Sequence, residues 1–111
     1  MQVSDLYLEY RKEREGIEYI LVEGAFVTYK FLEKHCYLMD VFCVKELRDS
    51  GIVYELASKV EALAKNSGYS KMLGSVDTKA LSPEAGLQAC FNQGYKILKV
   101  DGSVIWLQKE I

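Results

Sequence analysis

The chain has 111 residues, with a net charge of −2 and a half-hydrophobic composition that includes one proline. This composition is typical of one folded domain, and the charge provides no positive face for nucleic acid. No segment approaches the roughly 18 apolar residues of a membrane span. Cys36, Cys43 and Cys90 have neither disulfide-framework nor metal-ligand spacing, and free thiols suit the cytoplasm. We therefore expect a single cytoplasmic domain over residues 1–111, without metal, nucleic acid or membrane partner.

The first half of the chain is predicted to be a helix followed by an antiparallel meander. Residues 4–14 indicate a short helix that ends at Gly16. Runs of β-branched and aromatic residues then predict three strands, at 17–23, 25–32 and 36–44. The last of these is almost continuously apolar, which is typical of a central strand covered on both faces.

The pattern then changes to the helical period. Apolar residues recur at about 3.6-residue spacing and predict an amphipathic helix of about four turns, with a buried face formed by Ile52, Leu56, Val60 and Leu63. A strand over 69–76 follows this helix. A strand, a helix and a strand in succession imply a parallel pair with a right-handed crossover.

The C-terminal part adds a second helix and a hairpin. Ser82 is predicted to cap this helix, with Pro83 in its first turn, and the helix continues to about Gln93. Strands at 95–100 and 103–109 flank a tight turn at Asp101-Gly102. The predicted order is α-β-β-β-α-β-α-β-β, an α/β (α+β) fold with a mixed, mostly antiparallel sheet, a parallel central pair and flanking helices.

The junction between the central strand and the long helix, at 44–56, is a candidate anion site. The first amides of a helix have no partner within it and carry a partial positive charge, so they can bind phosphate. Gly51 would let a phosphate lie against the main chain, since it has no Cβ. An equally good interpretation at this point is that Gly51 only permits the turn into the helix.

In this order the elements resemble the GNAT superfamily of acyl-CoA-dependent N-acyltransferases, over roughly residues 17–110. That family has a strand ending in Val, followed by R/Q-x-x-G-x-G/A at the start of a helix. The chain has Val44 at the strand end, followed by the segment Arg48, Asp49, Ser50, Gly51, Ile52 and Val53. The segments AKNSGY at 64–69 and FNQGYK at 91–96 also match the family pattern.

The resemblance implies an acetyl-CoA site at this junction. The central strand and the strand after the long helix would splay apart, and the pantetheine arm would lie between them near Phe42, Cys43 and Val44. The pyrophosphate would bind amides of the signature segment, from Arg48 through Asp49, Ser50, Gly51 and Ile52 to Val53. An amine would attack the thioester directly, with a base to take its proton and an acid, often a tyrosine, to protonate the thiolate.

The sequence departs from the family pattern in three ways. Val53 stands where Gly or Ala is usual, and its side chain either crowds the phosphate or points into the core. Cys90 occupies the position where the family often has a tyrosine. Its thiol either donates the proton as the acid or packs in the core. The extra elements that family members carry before the first hairpin are shortened to one helix. Asp40 and Glu46 are the candidate bases, and Asp40 could instead be a structural carboxylate bonded to neighbouring main chain.

Two functions follow from these observations. The first is an N-acetyltransferase that uses acetyl-CoA to acetylate an amine of a small molecule or protein, with Asp40 and Cys90 as candidate catalytic residues. The alternative is a catalytically inactive GNAT-fold binding or assembly module. The edge of the terminal hairpin, at 95–109, also suggests a homodimer.

Overall fold

The computed structural model describes residues 3–111, with side chains from Asp5 onward. Within residues 3–111 there are three α-helices, six strands and one short 3₁₀ helix at Lys45–Leu47. In chain order these are α1 (Val3–Glu15), β1 (Glu18–Val22), β2 (Ala25–Phe31), β3 (Cys36–Cys43), α2 (Ile52–Asn66), β4 (Lys71–Asp77), α3 (Pro83–Asn92), β5 (Lys96–Asp101) and β6 (Val104–Glu110). The predicted order of helices and strands is confirmed; only the 3₁₀ turn was not predicted.

The six strands form one mixed sheet in the order β1-β2-β3-β4-β6-β5. All neighbours pair antiparallel except β3 and β4, which are parallel and are joined through α2. The predicted parallel central pair is therefore confirmed. None of the helices in residues 3–111 is long and apolar enough to cross a membrane.

Helix α2 covers one face of the sheet and forms the core with it. The fully buried side chains with the largest volumes are Leu56, Met72, Leu107, Val27, Val60, Thr28 and Cys36. The predicted buried face of α2 was wrong at Leu63, which is 41% exposed, while Ala64 is fully buried. Leu56, Val60 and Ala64 are four residues apart and lie on one line along the helix, whereas Leu63 lies to its side.

Strand β3 is covered less completely than predicted. Cys36 and Cys43 are buried, but Phe42 is 49% exposed and Asp40 is also exposed. These last two side chains point to the face opposite α2. On that face α1 packs mainly against β1, so the end of β3 stays open. The prediction of a strand covered on both faces was therefore wrong for the C-terminal half of β3.

A β-bulge in β3 determines which of its side chains reach the open face. Leu38 pairs with Tyr29 and Asp40 with Thr28, so Met39 is an extra residue in the ladder. Beyond the bulge Asp40 and Phe42 share a face with Thr28, away from α2.

The start of α3 differs from the prediction in one respect. Pro83 opens the helix as expected, but Ser82 has a left-handed φ of 54° and its side chain makes no capping hydrogen bond. A capping serine needs an extended backbone so that its hydroxyl can reach the second or third helical amide. The predicted serine cap is therefore wrong.

Candidate functional site

The main feature of the sheet is a gap between its two parallel strands. β3 and β4 pair only at Cys36 with Met72 and at Tyr37 with Leu73. β3 nevertheless continues to Cys43 and β4 to Asp77. The strands therefore separate towards their carboxyl ends, the end of a sheet with parallel strands where ligands commonly bind.

A side-chain contact ties the two strands together where they begin to separate. The Tyr37 hydroxyl lies 2.7 Å from Ser75 Oγ, and its ring packs against Trp106 with centroids 5.5 Å apart. This contact is on the face opposite α2. It limits the separation of β3 and β4 at the closed end of the gap.

The loop from β3 to α2 is organised by its own hydrogen bonds. The Val44 amide donates to Gly24 O at 2.8 Å, and the Leu47 amide donates to Val44 O at 3.0 Å. The Ser50 hydroxyl donates to Leu47 O and accepts a bond from the Ile52 amide at 3.3 Å. These contacts hold the loop in a fixed path against the first turn of α2.

Gly51 lies directly before α2 with a left-handed φ of 88°. A Cβ built on Gly51 would meet no protein atom within 4 Å, so protein crowding does not explain the glycine. The backbone conformation favours glycine, and the space in front of the helix amides is open. Both interpretations of Gly51, turn former and phosphate site, are compatible with this geometry.

A cavity of about 220 Å³ lies at this junction, between the start of α2 and the end of α3. Its lining residues are Cys43, Leu47, Asp49, Gly51, Ile52, Val53, Tyr54, Ala89, Asn92 and Gln93. The structure thus brings five of the predicted cofactor residues together around one space. Val53 lines this cavity and also packs against the core, so its side chain does not simply fill the site.

Sequence reasoning missed the contribution of Tyr54 and of α3 to this cavity. Tyr54 is 53% exposed, although it belongs to the amphipathic helix α2. Its hydroxyl lies 3.4 Å from Asn92 O, which joins the start of α2 to the end of α3. The position of Tyr54, two residues before the buried Leu56, places it off the core face and could have indicated its exposure.

The other predicted cofactor residues do not line this cavity. Arg48 and Ser50 are exposed in the loop. Phe42 and Val44 line a second, larger cleft of about 700 Å³, together with Asp5, Leu21, Val22, Glu23, Gly24, Ala25 and Phe26. Cys43 lies between Phe42 and Val44 in the sequence and faces the smaller cavity instead.

Asp40 is held by side chains on the open face of the sheet. Its Oδ2 accepts hydrogen bonds from Thr28 Oγ1 at 2.8 Å and from Arg11 Nη1 at 3.1 Å. The hydrogen bond to Glu15 is the largest cause that raises the pKa of Arg11, and the hydrogen bond to Asp40 raises it further. The carboxylate is thus bonded to side chains and not to main chain, and half of it remains exposed.

Cys90 lies on α3 and packs against the core. Burial raises the pKa of its thiol, so the protonated form is favoured. Cys90 is not a lining residue of the cavity, and it lies on the α2 side of the sheet while Asp40 lies on the other. Glu46, the other candidate base, is exposed in the 3₁₀ turn.

No group of three or more His, Cys, Asp or Glu side chains that could hold a metal ion occurs in the described part of the chain.

Solved structures with the same fold include several acetyltransferases. The PaiA N-acetyltransferase from Thermoplasma acidophilum, solved with coenzyme A, has a TM-score of 0.77 and 17% identity, covering 96% of this chain and 69% of that one. A GNAT family acetyltransferase from Elizabethkingia anophelis, solved with acetyl-CoA, has a TM-score of 0.66 and 14% identity, covering 79% and 69%. The anti-CRISPR protein AcrVA5 has a TM-score of 0.67 and 18% identity, and the match covers 81% of this chain and 96% of that one.

This chain therefore has the GNAT acetyltransferase fold. No protein-family model and no curated protein sequence matches it, so the similarity lies in the three-dimensional structure.

Proposed function

We propose that this protein is an N-acetyltransferase that transfers the acetyl group of acetyl-CoA to an amine. The observation that carries the proposal is the gap between β3 and β4, which opens directly onto the amides at the start of α2. The neighbours solved with coenzyme A and acetyl-CoA support this choice of cosubstrate.

The residues around the gap fit an acyl-CoA. The pantetheine arm would bond main chain in the segment of Phe42, Cys43 and Val44, where β3 has no β4 partner. The Val44 amide already donates to Gly24 O, so Val44 would offer only its carbonyl oxygen. The pyrophosphate would meet the amides of 48–53, where the helix dipole favours negative charge. The open space at Gly51 is what such a contact with the main chain requires.

The reaction has a simple atomic balance. The amine nitrogen forms a bond to the carbonyl carbon of the thioester, and the bond from that carbon to sulfur breaks. The amine loses one proton to a base, and the sulfur gains one from an acid. Asp40 and Cys90 stay the predicted base and acid: Asp40 presents a half-exposed carboxylate, and the raised pKa of Cys90 keeps its proton available.

One observation favours the alternative, a GNAT-fold module that binds acyl-CoA or a partner without catalysis. Asp40 and Cys90 lie on opposite faces of the sheet, and neither lines the cavity at the start of α2. A module of this kind would bind acetyl-CoA but would not release free thiol when amines are added.

The test compares two glycines in matched settings. Gly51 and Gly68 have φ angles of 88° and 90°, and a Cβ at either would meet nothing within 4 Å. Gly51 precedes α2 and Gly68 follows it, so only Gly51→Arg would place a side chain in front of the helix amides. Acetyl-CoA binding at a micromolar dissociation constant corresponds to about −8 kcal/mol. By calorimetry we expect Gly51→Arg to weaken binding more than tenfold and Gly68→Arg to leave it within about twofold.

Two results would contradict the proposal. Equal weakening by both variants would show that backbone strain, and not the site, governs binding. No binding of the wild-type protein at millimolar acetyl-CoA would exclude the cosubstrate. Thiol release in the presence of amines then separates the transferase from the inactive module.

A further inference from the structure

The cleft of about 700 Å³ beside α1 has a lining that differs in chemistry from the cavity at α2. We propose that this cleft is the acceptor site and that it binds a small primary amine carried on an aromatic or other apolar body. The acceptor role rests on the acetyltransferase function proposed above, whereas the binding of such an amine can be tested without it.

The position of the cleft is the first argument. Phe42 and Val44 line it, and Cys43 between them lines the cavity at α2. Because successive side chains of a strand point to opposite faces, the two spaces lie against opposite faces of the same end of β3. A thioester bound along this end could be reached by a nucleophile from the cleft while its phosphates stay at α2.

The apolar lining is the second argument. The Phe26 and Phe42 rings lie 6.0 Å apart, and Phe42 and Leu21 are 49% and 38% exposed. Val44 adds a further partly exposed apolar side chain at 38%. A contiguous exposed apolar patch with two aromatic rings on a small protein is typical of a surface that binds an apolar group.

The charge of the lining is the third argument. Two of its members are acidic, Asp5 and Glu23, and none is basic. Glu23 lies in the turn between β1 and β2, and its side chain is exposed. The cleft therefore attracts an ammonium group and repels a carboxylate of the same shape.

Acetylation would follow with a balanced transfer of protons. The bound ammonium loses one proton to give the free amine, whose nitrogen forms the bond to the acetyl carbon. The bond from carbon to sulfur breaks with its electron pair on sulfur, and a second proton leaves the amine. Of the two protons lost, the sulfur takes up the equivalent of one and the other is released to solvent. The products are an N-acetyl amide and free coenzyme A.

The test is an NMR titration of the ¹⁵N-labelled protein with three probes. Phenethylamine has the ring and the positive charge, 3-phenylpropionate has the ring with the opposite charge, and ethanolamine has the charge without the ring. We expect saturable shifts of the amides of 21–26 and 42–44 with phenethylamine, and binding at least fivefold weaker for the other two probes. Shifts elsewhere, no shifts, or equal binding of 3-phenylpropionate would overturn the proposal.

Matched variants test which side chains contribute to the binding of phenethylamine. Phe42→Ala is expected to weaken phenethylamine binding at least fivefold, whereas Phe91→Ala, at 44% exposure on α3, should leave it within twofold. Glu23→Gln should weaken binding several-fold, and Glu33→Gln, in the turn at the other end of β2, should not. Both positions of each pair are exposed, and thermal unfolding of each variant checks that it is folded.

Turnover separates this proposal from the function on which it rests. Mass spectrometry should detect N-acetylphenethylamine when acetyl-CoA is added, and Phe42→Ala should raise KM with little change in kcat. A wild-type protein that binds both molecules without forming this product overturns the acceptor role. A protein that binds phenethylamine in the cleft but no acetyl-CoA contradicts the proposed transferase and retains the amine site.

Discussion

Asp40 shows how a single residue acquires its setting from distant parts of the chain. Its carboxylate bonds to Thr28 on the neighbouring strand and to Arg11 on α1, which is 29 residues earlier. A base must be free to accept a proton, so an amine that approaches Asp40 has to replace Arg11 or use the carboxylate oxygen that is still exposed. The predicted catalytic role of Asp40 therefore depends on this ion pair.

Cys36 is a residue-scale source of pH dependence. It is fully buried, and burial raises its pKa from the ordinary value of 9.0 to about 11. The folded state thus keeps the thiol protonated where the unfolded chain ionises. The contribution of the Cys36 thiol to the free energy of unfolding is fully present below pH 9 and is lost as the pH rises from 9 to about 11.

We therefore expect the melting temperature of the wild-type protein to fall between pH 8 and pH 10.5. The melting temperature of Cys36→Ala should fall less over the same range. Burial also raises the pKa of Tyr95, which adds a loss of the same sign at higher pH. Thermal unfolding followed by circular dichroism at both pH values checks this. An equal fall in the wild type and in Cys36→Ala would show that this thiol does not contribute.

At the scale of elements, α2 provides a sharp test of the buried face. Leu56 is fully buried against the sheet, whereas Leu63 is 41% exposed, although both belong to the predicted apolar face. We expect Leu56→Ala to lower the free energy of unfolding by about 2–5 kcal/mol, because it leaves a cavity in the core. Leu63→Ala should cost less than about 1 kcal/mol. Urea unfolding measures both, and similar values would contradict the placement of α2.

At the scale of the whole molecule, β5 forms an edge of the sheet that is exposed along its length. Ile97, Leu98 and Val100 are 54%, 48% and 64% exposed on this strand. An edge strand with exposed apolar side chains can pair with a second copy of the chain, so the homodimer stays a prediction.

We expect light scattering to show a concentration-dependent dimer that Val100→Lys weakens at least tenfold. Leu81→Lys is the control, because Leu81 is 97% exposed and lies away from β5, in the loop before α3. A strict monomer at high concentration, or an equal effect of the two variants, would argue against a dimer through this edge.

Much of the fold could be predicted because its signals are local. The predicted tight hairpin between β5 and β6 is confirmed, but its turn lies one residue later than predicted: Asp101 pairs with Val104, so Gly102 and Ser103 form the turn, and Gly102 has the positive φ that such a turn uses. Gly51, directly before α2, also has a left-handed φ, a backbone conformation that glycine adopts without steric cost. The strands and helices depend mainly on the period of neighbouring side chains, which the sequence contains directly.

The sequence by itself therefore determined the order of the elements, the parallel pair and the loop that precedes α2. Only the tertiary structure decided that Leu63 is exposed, that Phe42 opens onto a cleft, that Arg11 bonds Asp40 and that Tyr54 meets α3. The physical reason is that burial and ion pairing depend on which distant segments come together. A helix or strand period shows which side chains share a face, but not how much of that face another element covers.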